Sequence, residues 1–423
     1  MQGSPNLIRL LAAGCLLGSF LSGSVGATDH EVSGLRQPAV PGTPDTILVC
    51  HYVIDFDCRF RDDTLYLAVL EEYHPAQRAD TTFVRSPRPL SLRFFSLADD
   101  SLSGVYTCVD NTDCKRVWLC EGLKAVAISP ELMITVEPFQ EEVYPERYPL
   151  EWHKDWASSP VAYLAGPDTD YFIYRDYSYR RMQLAMDNID RQYSKQYLRR
   201  IGARGDTEAE LIRPGRVDCR DFVCYRSGDT IYAAWLEGRR QPVAWSDGGH
   251  YERSIVFSRY DGRSWEDPVT VVSYREIGDD IFASPCELVS LDGKPCLLWM
   301  ESGSSDDEDG RHLLLSRQGA NGEWAPIDSN TLACDFVVGN QLFLTVTDSE
   351  GTLHVVTGLP GDRQQMQYAV LDGFGWHMRR AIAHESGMLK LVVDAENRAW
   401  LLRAYNSRVT GEGYLVLMLL SDN

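Results

Sequence analysis

The sequence predicts an all-β fold, a β-propeller of four-stranded blades, from three observations: an internal repeat, hairpin turns that end in Trp, and the number of strands per repeat. DDTLYLAVLEE (62–72) and GDTIYAAWLEG (228–238) match closely, each a turn, a β-branched and aromatic run, then an acid. LDGKPCLLWMESG (291–303), DSEGTLHVVTG (348–358) and DAENRAWLLRA (394–404) repeat the plan more loosely. A further strand follows each run: LSLRFFSL (90–97), RSIVFSRYDGRSW (253–265), RHLLLSRQGANGEW (311–324), QQMQYAVLDGFGW (364–376) and EGYLVLMLL (412–420). Three of these close on Asp-Gly or Asn-Gly before Trp265, Trp324 and Trp376, spaced 59 and 52 residues apart. Such dipeptides accept the positive φ of a tight hairpin.

Innermost strands are expected at RDFVCY (220–225), CELVSL (286–291) and CDFVVG (334–339), which gives about four strands per 50–60 residues. Units begin near 47, 217, 284, 333 and 387, and 108–215 has room for one or two more. The expectation is six to eight blades, with seven preferred; two stacked sandwiches are the alternative. In 180–201, Met182, Met186, Ile189, Tyr193 and Tyr197 recur at helical spacing, yet MQLAMDN (182–188) resembles MQYAVLDG (366–373), so a strand is favoured there.

Residues 1–27 read as a signal peptide, with an apolar LLAAGCLLGSFL (10–21) and small residues at Val25-Gly26-Ala27. The stretch is too short, and too rich in Gly and Ser, for a membrane span. A lipoprotein box at AAGC (12–15) is the alternative. Residues 28–45 read as a flexible leader and 46–423 as a single propeller domain, in a periplasmic or secreted protein. With 61 Asp and Glu against 41 Lys and Arg, the net charge of −20 disfavours nucleic acid and anionic membrane surfaces. Of the eleven cysteines, ten follow the leader, an even number that favours disulfides after export. No zinc spacing, nucleophile elbow or phosphate-binding loop occurs, and no metal site or cofactor is expected. SSDDEDG (304–310) reads as a solvated turn, with a Ca²⁺ loop as its alternative.

SRYDGRSW (258–265) resembles the Asp box of sialidase-type propellers, in which Ser or Thr, Asp, Gly and Trp sit on a hairpin. The resemblance spans roughly 217–423, with a weaker echo at 47–107. It implies that Asp261, Gly262 and Trp265 are fold residues remote from a ligand site. Sialidases also carry a Phe/Tyr-Arg-Ile-Pro motif, which this sequence lacks.

On a propeller, the turns joining second to third strands share one face with the starts of the innermost strands, and ligands usually enter there. Asp221, Glu287 and Asp335 each fall near the start of an expected innermost strand, and are the candidate catalytic set. Paired carboxylates at a channel mouth are what glycosyl transfer needs, an acid for the leaving oxygen and a base or nucleophile. A ring of hydrated or cation-binding acids is the alternative. Glu71, Asp176, Glu237 and Glu301 end second strands, and Arg88, Arg181, Arg253 and Arg311 begin the next, a pattern of ordinary cross-strand pairs. From this face Glu237, Arg239, Arg240, Arg253, Glu301, Arg311 and Arg403 are the candidate ligand-binding residues. The ligand expected is a glycan or small polar molecule, hydrolysed if the carboxylates are catalytic. The alternative is a non-catalytic envelope scaffold with a protein partner, which Trp152 and Trp156 also suit.

Overall fold

The computed structural model describes Asp45 to Ser421, apart from residues 51, 63, 292 and 320 and the stretches 73–89, 99–100, 111–115, 129–131, 137–145, 150–155, 167–168, 179–194, 203–209, 214–217, 241–250, 274–281, 303–310, 335–342, 373–374, 384–386 and 408–411. The described strands form seven antiparallel four-stranded sheets, arranged in a ring as a seven-bladed β-propeller.

Blade 1 comprises β2 (Tyr52–Arg61), β3 (Thr64–Glu72), β4 (Leu90–Ala98) and β5 (Ser101–Asp110), and blade 2 comprises β6 (Arg116–Leu119), β7 (Ala125–Ile128), β8 (Leu132–Val136) and β9 (Glu146–Pro149). Blade 3 holds β10 (Trp156–Leu164), β11 (Thr169–Ser178), β12 (Lys195–Gly202) and β13 (Glu210–Leu211). Blade 4 holds β14 (Asp218–Ser227), β15 (Thr230–Arg240), β16 (Tyr251–Tyr260) and β17 (Val269–Val272). In blade 5 the strands are β18 (Phe282–Leu291), β19 (Lys294–Ser302), β20 (Arg311–Gln318) and β21 (Trp324–Cys334). Blade 6 runs through β22 (Phe343–Thr347), β23 (Leu353–Leu359), β24 (Asp362–Asp372) and β25 (Gly375–Ala383). Blade 7 takes three strands from the C-terminus, β26 (Met388–Val393), β27 (Ala399–Asn406) and β28 (Gly413–Leu419), and its fourth from the N-terminus, β1 (Asp45–Cys50).

The expected count of seven is met, with two blades between 108 and 215. Two details differ. The segment near residue 47 is the outer strand of blade 7, paired with β28, rather than the start of a blade. Cys334 ends the outer strand β21, so the inner strand of blade 6 is β22 and not CDFVVG, whose remaining residues lie outside those described. The 182–188 segment lies outside them too.

Second strands are apolar on both faces because each blade is covered on both sides by its neighbours. Leu65, Leu67, Ala68, Val69 and Leu70 of β3 are all buried. The cores accordingly lie between blades. Leu70 and Phe94 pack on Val117 and Ile134 across blades 1 and 2. Ile173 meets Trp235 across blades 3 and 4, and Leu298 meets Val355 across blades 5 and 6. Each such side chain contributes roughly 1.5–3 kcal/mol on burial.

Apolar packing is non-directional, and polar ties fix the angular register. Asp55 and Asp57 of β2 accept the backbone N–H groups of Val117 and Leu119 at 2.9 and 2.8 Å. Lys124 meets Asp170 at 2.5 Å, tying blade 2 to blade 3. Arg226 donates to the Thr169 carbonyl at 2.7 Å, in space that a Cβ on Gly166 would occupy. Between blades 6 and 7, Ser349 Oγ donates to Asn397 Oδ1 at 2.8 Å.

The Asp-box hairpin of blade 4 has the structural role its resemblance implies. Asp261 Oδ1 accepts the N–H groups of Arg263 and Ser264, both at 2.9 Å, which hold its carboxyl below the usual range. Trp265 folds back over Tyr260, with ring centroids 5.3 Å apart.

Candidate ligand site on the inner strands

The inner strands ring the channel, and several carry a bulge in their pairing with the second strand. The ladder slips between Val53 and Asp55, Pro160 and Ala162, Arg220 and Val223, and Pro285 and Glu287. A bulge re-aims the side chains next to it. Glu287 follows its bulge directly. Thr345 Oγ1 of the next inner strand donates to Glu287 Oε2 at 3.1 Å, so one carboxyl bridges blades 5 and 6. Among the described residues, its other oxygen receives just the Leu288 N–H, at a long 3.3 Å. Solvent reaches the side chain only in part. Burial raises its pKa to about 6, against the lowering effect of Thr345 and the Leu288 N–H.

Asp221 is half-buried in β14, within a bulge, at a left-handed φ of 49° that Asp tolerates better than most residues. It does not share a rung with Glu287. Counted from the hairpin turns, Val223 opposite Ala234 is the equivalent of Glu287 opposite Leu298. The repeat alignment from sequence is therefore two residues out of register in blade 4. Asp335 lies outside the described residues.

Blade 1 supplies the true counterpart, Asp57 opposite Ala68, which the sequence reading missed. Glu287, Val223 and Asp57 each stand five residues before a turn, a count that would have revealed the match. Asp57 meets Lys390 of β26 at 3.1 Å. Burial lowers the pKa of Lys390, but Asp57, Cys58 and Asp55 outweigh it and hold the ammonium above its ordinary value. Asp55 is raised, by burial first, although its bond from Val117 opposes this.

Glu71, Glu237 and Glu301 occupy one equivalent position at the ends of second strands, opposite Val53, Cys219 and Ala283. Glu71 pairs with Arg93 at 3.2 Å, and Glu237 with Arg213 at 3.1 Å, from the segment entering blade 4. Arg253 stands opposite Gly238, and Arg311 opposite Ser302. Glu301 faces His312 directly across the ladder; burial raises its pKa and His312 lowers it. Arg403 stacks over Tyr405 at 4.8 Å, and with Leu389, Met366 and Ile382 lines a small cavity between blades 6 and 7. Arg239 and Arg240 pair through their backbones with Glu252 and Tyr251, and their side chains are outside the described set. So too are the side chain of Asp176, all of Arg88 and Arg181, and the 304–310 run.

The six described cysteines, Cys58, Cys120, Cys219, Cys224, Cys296 and Cys334, form no disulfide bond. The disulfides expected from the even count do not join them. Cys296 and Cys334 share one core but stand opposite Arg317 and Arg311, six residues apart on β20. That is about 20 Å along a strand, far beyond a disulfide's reach of roughly 4.4–6.8 Å between Cα atoms. Among the described residues no three His, Cys, Asp or Glu side chains gather as a metal site, and no helix is long and apolar enough to cross a membrane.

Ring, blades and hairpins define a seven-bladed β-propeller. The chain is similar to the sialidase of Trypanosoma rangeli in complex with sialic acid, at 11% identity over 90% of this chain and 59% of that one, with a TM-score of 0.42. It is similar to an ulvan lyase of polysaccharide lyase family PL25, at 7% identity over 90% and 96% of the two chains, with a TM-score of 0.48. An acylaminoacyl peptidase of Pyrococcus horikoshii matches at 12% identity over 89% and 53%, with a TM-score of 0.48. The chain spans a little over half the length of the sialidases, 55% in the complex with the inhibitor DANA. No family model and no curated protein matches it.

Proposed function

We propose that this chain is an exported propeller that binds a glycan, or another polar ligand rich in hydroxyl groups, at the inner strands of blades 5 and 6. One observation carries the reading: Glu287 is a partly accessible carboxyl on an inner strand whose Oε1 has, among the described residues, just a long N–H contact. With a pKa of about 6, it accepts hydrogen bonds from a ligand above that pH and donates one below it. The acidic surface keeps anionic polymers away and leaves neutral and cationic ligands. Hydrolysis would need a second carboxyl at about 5–9.5 Å from the first, and Asp221 and Asp335 are the candidates for it.

A glycan array of wild type and Glu287→Gln tests this. Binding of a defined glycan that weakens at least tenfold in the variant is expected. Unchanged binding in the variant, or capture of peptides and no glycan, overturns it in favour of a protein-binding scaffold. Turnover of the bound glycan that Glu287→Gln abolishes would add catalysis.

A further inference from the structure

Each fully buried carboxylate among the described residues, unlike half-buried Glu287, has a counter-charge. Glu71 has Arg93 at 3.2 Å, Asp170 has Lys124 at 2.5 Å, Glu237 has Arg213 at 3.1 Å, and Asp394 has Arg398 at 2.7 Å. Asp55 feels Arg116 and Lys390. Among its inner-strand equivalents, Asp57 has Lys390 at 3.1 Å. Among the described residues no cation pairs with Glu287; its partners there are the Thr345 hydroxyl and its neighbour's N–H.

A carboxylate held away from water without a counter-charge is costly, and the cost is relieved by a proton or by a cation from outside. From these contacts we infer that the ligand at Glu287 carries an ammonium group, which completes the ion pair that the protein omits. Glu287 Oε1 is the oxygen free to accept it. Thr345 Oγ1 spends its hydrogen on Oε2, so its lone pairs face the ligand as acceptors for a second ammonium hydrogen or an adjacent hydroxyl. Cys224, the titratable neighbour that feels Glu287, is a buried thiol pushed further up by that carboxyl and brings no positive charge. A bare metal ion fits poorly, because Ca²⁺ or Mg²⁺ needs about six oxygen ligands. Within the glycan reading, on which this rests, the class is an amino sugar with a free amine.

The test is calorimetry on the full chain at pH 7 with glucosamine, N-acetylglucosamine and glucose, which differ at the amine position. Glucosamine should bind at least tenfold tighter than the other two. That preference should vanish in Glu287→Gln and at pH 5, where Glu287 is protonated. Should the variant fail to fold, the pH dependence of the wild type decides. Equal affinity for the three sugars, or a preference that persists in the variant or at pH 5, overturns the inference while leaving the channel reading intact. No binding by any of the three, with neutral glycans positive on the array, overturns it too. No sugar binding in either assay overturns both.

Discussion

The carboxamide of Asn406 grips both sides of Val53. Its Oδ1 accepts the Val53 N–H at 2.8 Å, and its Nδ2 donates to the Val53 carbonyl at 2.8 Å. The side chain thus imitates one rung of a β-ladder between the last blade and the first, 353 residues apart in sequence. It acts beside the pairing of β1 with β28, and both ends of the chain close the ring.

Asn406→Ala should lower stability in urea by about 1–3 kcal/mol, because the buried Val53 peptide loses two partners. Asn406→Asp keeps the acceptor but sets a carboxylate oxygen against the Val53 carbonyl, so it should not restore stability at neutral pH. Deletion of 412–423 removes β28 from between β27 and β1, exposing two sheet edges, and should leave an insoluble chain. Soluble, cooperatively unfolding protein after that deletion would contradict ring closure.

A hydrogen-bonded chain crosses blades 6 and 7. The Ala399 N–H donates to Ser421 Oγ at 3.0 Å, and Ser421 bonds to Tyr368. Tyr368 Oη lies 2.6 Å from His354 Nδ1, and His354 Nε2 lies 3.1 Å from Asp348 Oδ2. Asp348 also caps its own turn, accepting the Glu350 and Thr352 N–H groups at 2.9 and 2.8 Å. Each donor then has an acceptor if neutral His354 carries its proton on Nε2. Nitrogen-15 shifts should show that tautomer. Tyr368→Phe should cost about 1–3 kcal/mol by stranding a buried Nδ1. Blade 7 repeats the device, with Trp400 Nε1 donating to Asp394 at 2.7 Å.

Glu287 gives stability a definite pH dependence. Its pKa rises from 4.5 to about 6 on folding, so between those values the folded state holds a proton that the unfolded state has lost. Stability therefore falls as pH rises through this window, by up to about 2 kcal/mol, and levels off above it. Glu287→Gln should remove that fall and be the more stable form at pH 8. Parallel curves for the two proteins from pH 4 to 8 would refute the assignment.

The thiols should be silent in the native state. Cys58, Cys219, Cys296 and Cys334 are buried, and burial pushes the Cys58 and Cys224 thiols up and that of Cys120 to about 12. Thiolates are the reactive form. Alkylation of these six should be negligible before unfolding and complete in guanidinium without reductant. Failure to label them in guanidinium would restore the disulfide expectation.

The repeats at 62–72 and 228–238 were legible because a second strand, covered on both sides, must be apolar throughout and end in its turn. The carboxylate register was not. RDFV and CELV align by eye, but the bulge between Arg220 and Val223 and the turn at Ser227 shift the true match by two residues. Bulges leave little trace in residue type. The pairing of Glu237 with Arg213 was not legible for a related reason: Arg213 comes from a segment between blades, which strand alternation does not describe.

What the sequence by itself determined is the blade, because turn residues and period-two burial act over a few residues. Seven copies and the expectation of one ring follow from that local grammar, whereas closure by the first strand, which the sequence placed at the start of a blade, does not. Which carboxylate stands alone was decided only by tertiary structure. Asp57 and Glu287 occupy the same rung of the same repeat, and differ because Lys390 arrives from 333 residues away in the chain to neutralise one of them. Charge compensation is set by distance in space, and ring closure brings residues of the last blade beside those of the first.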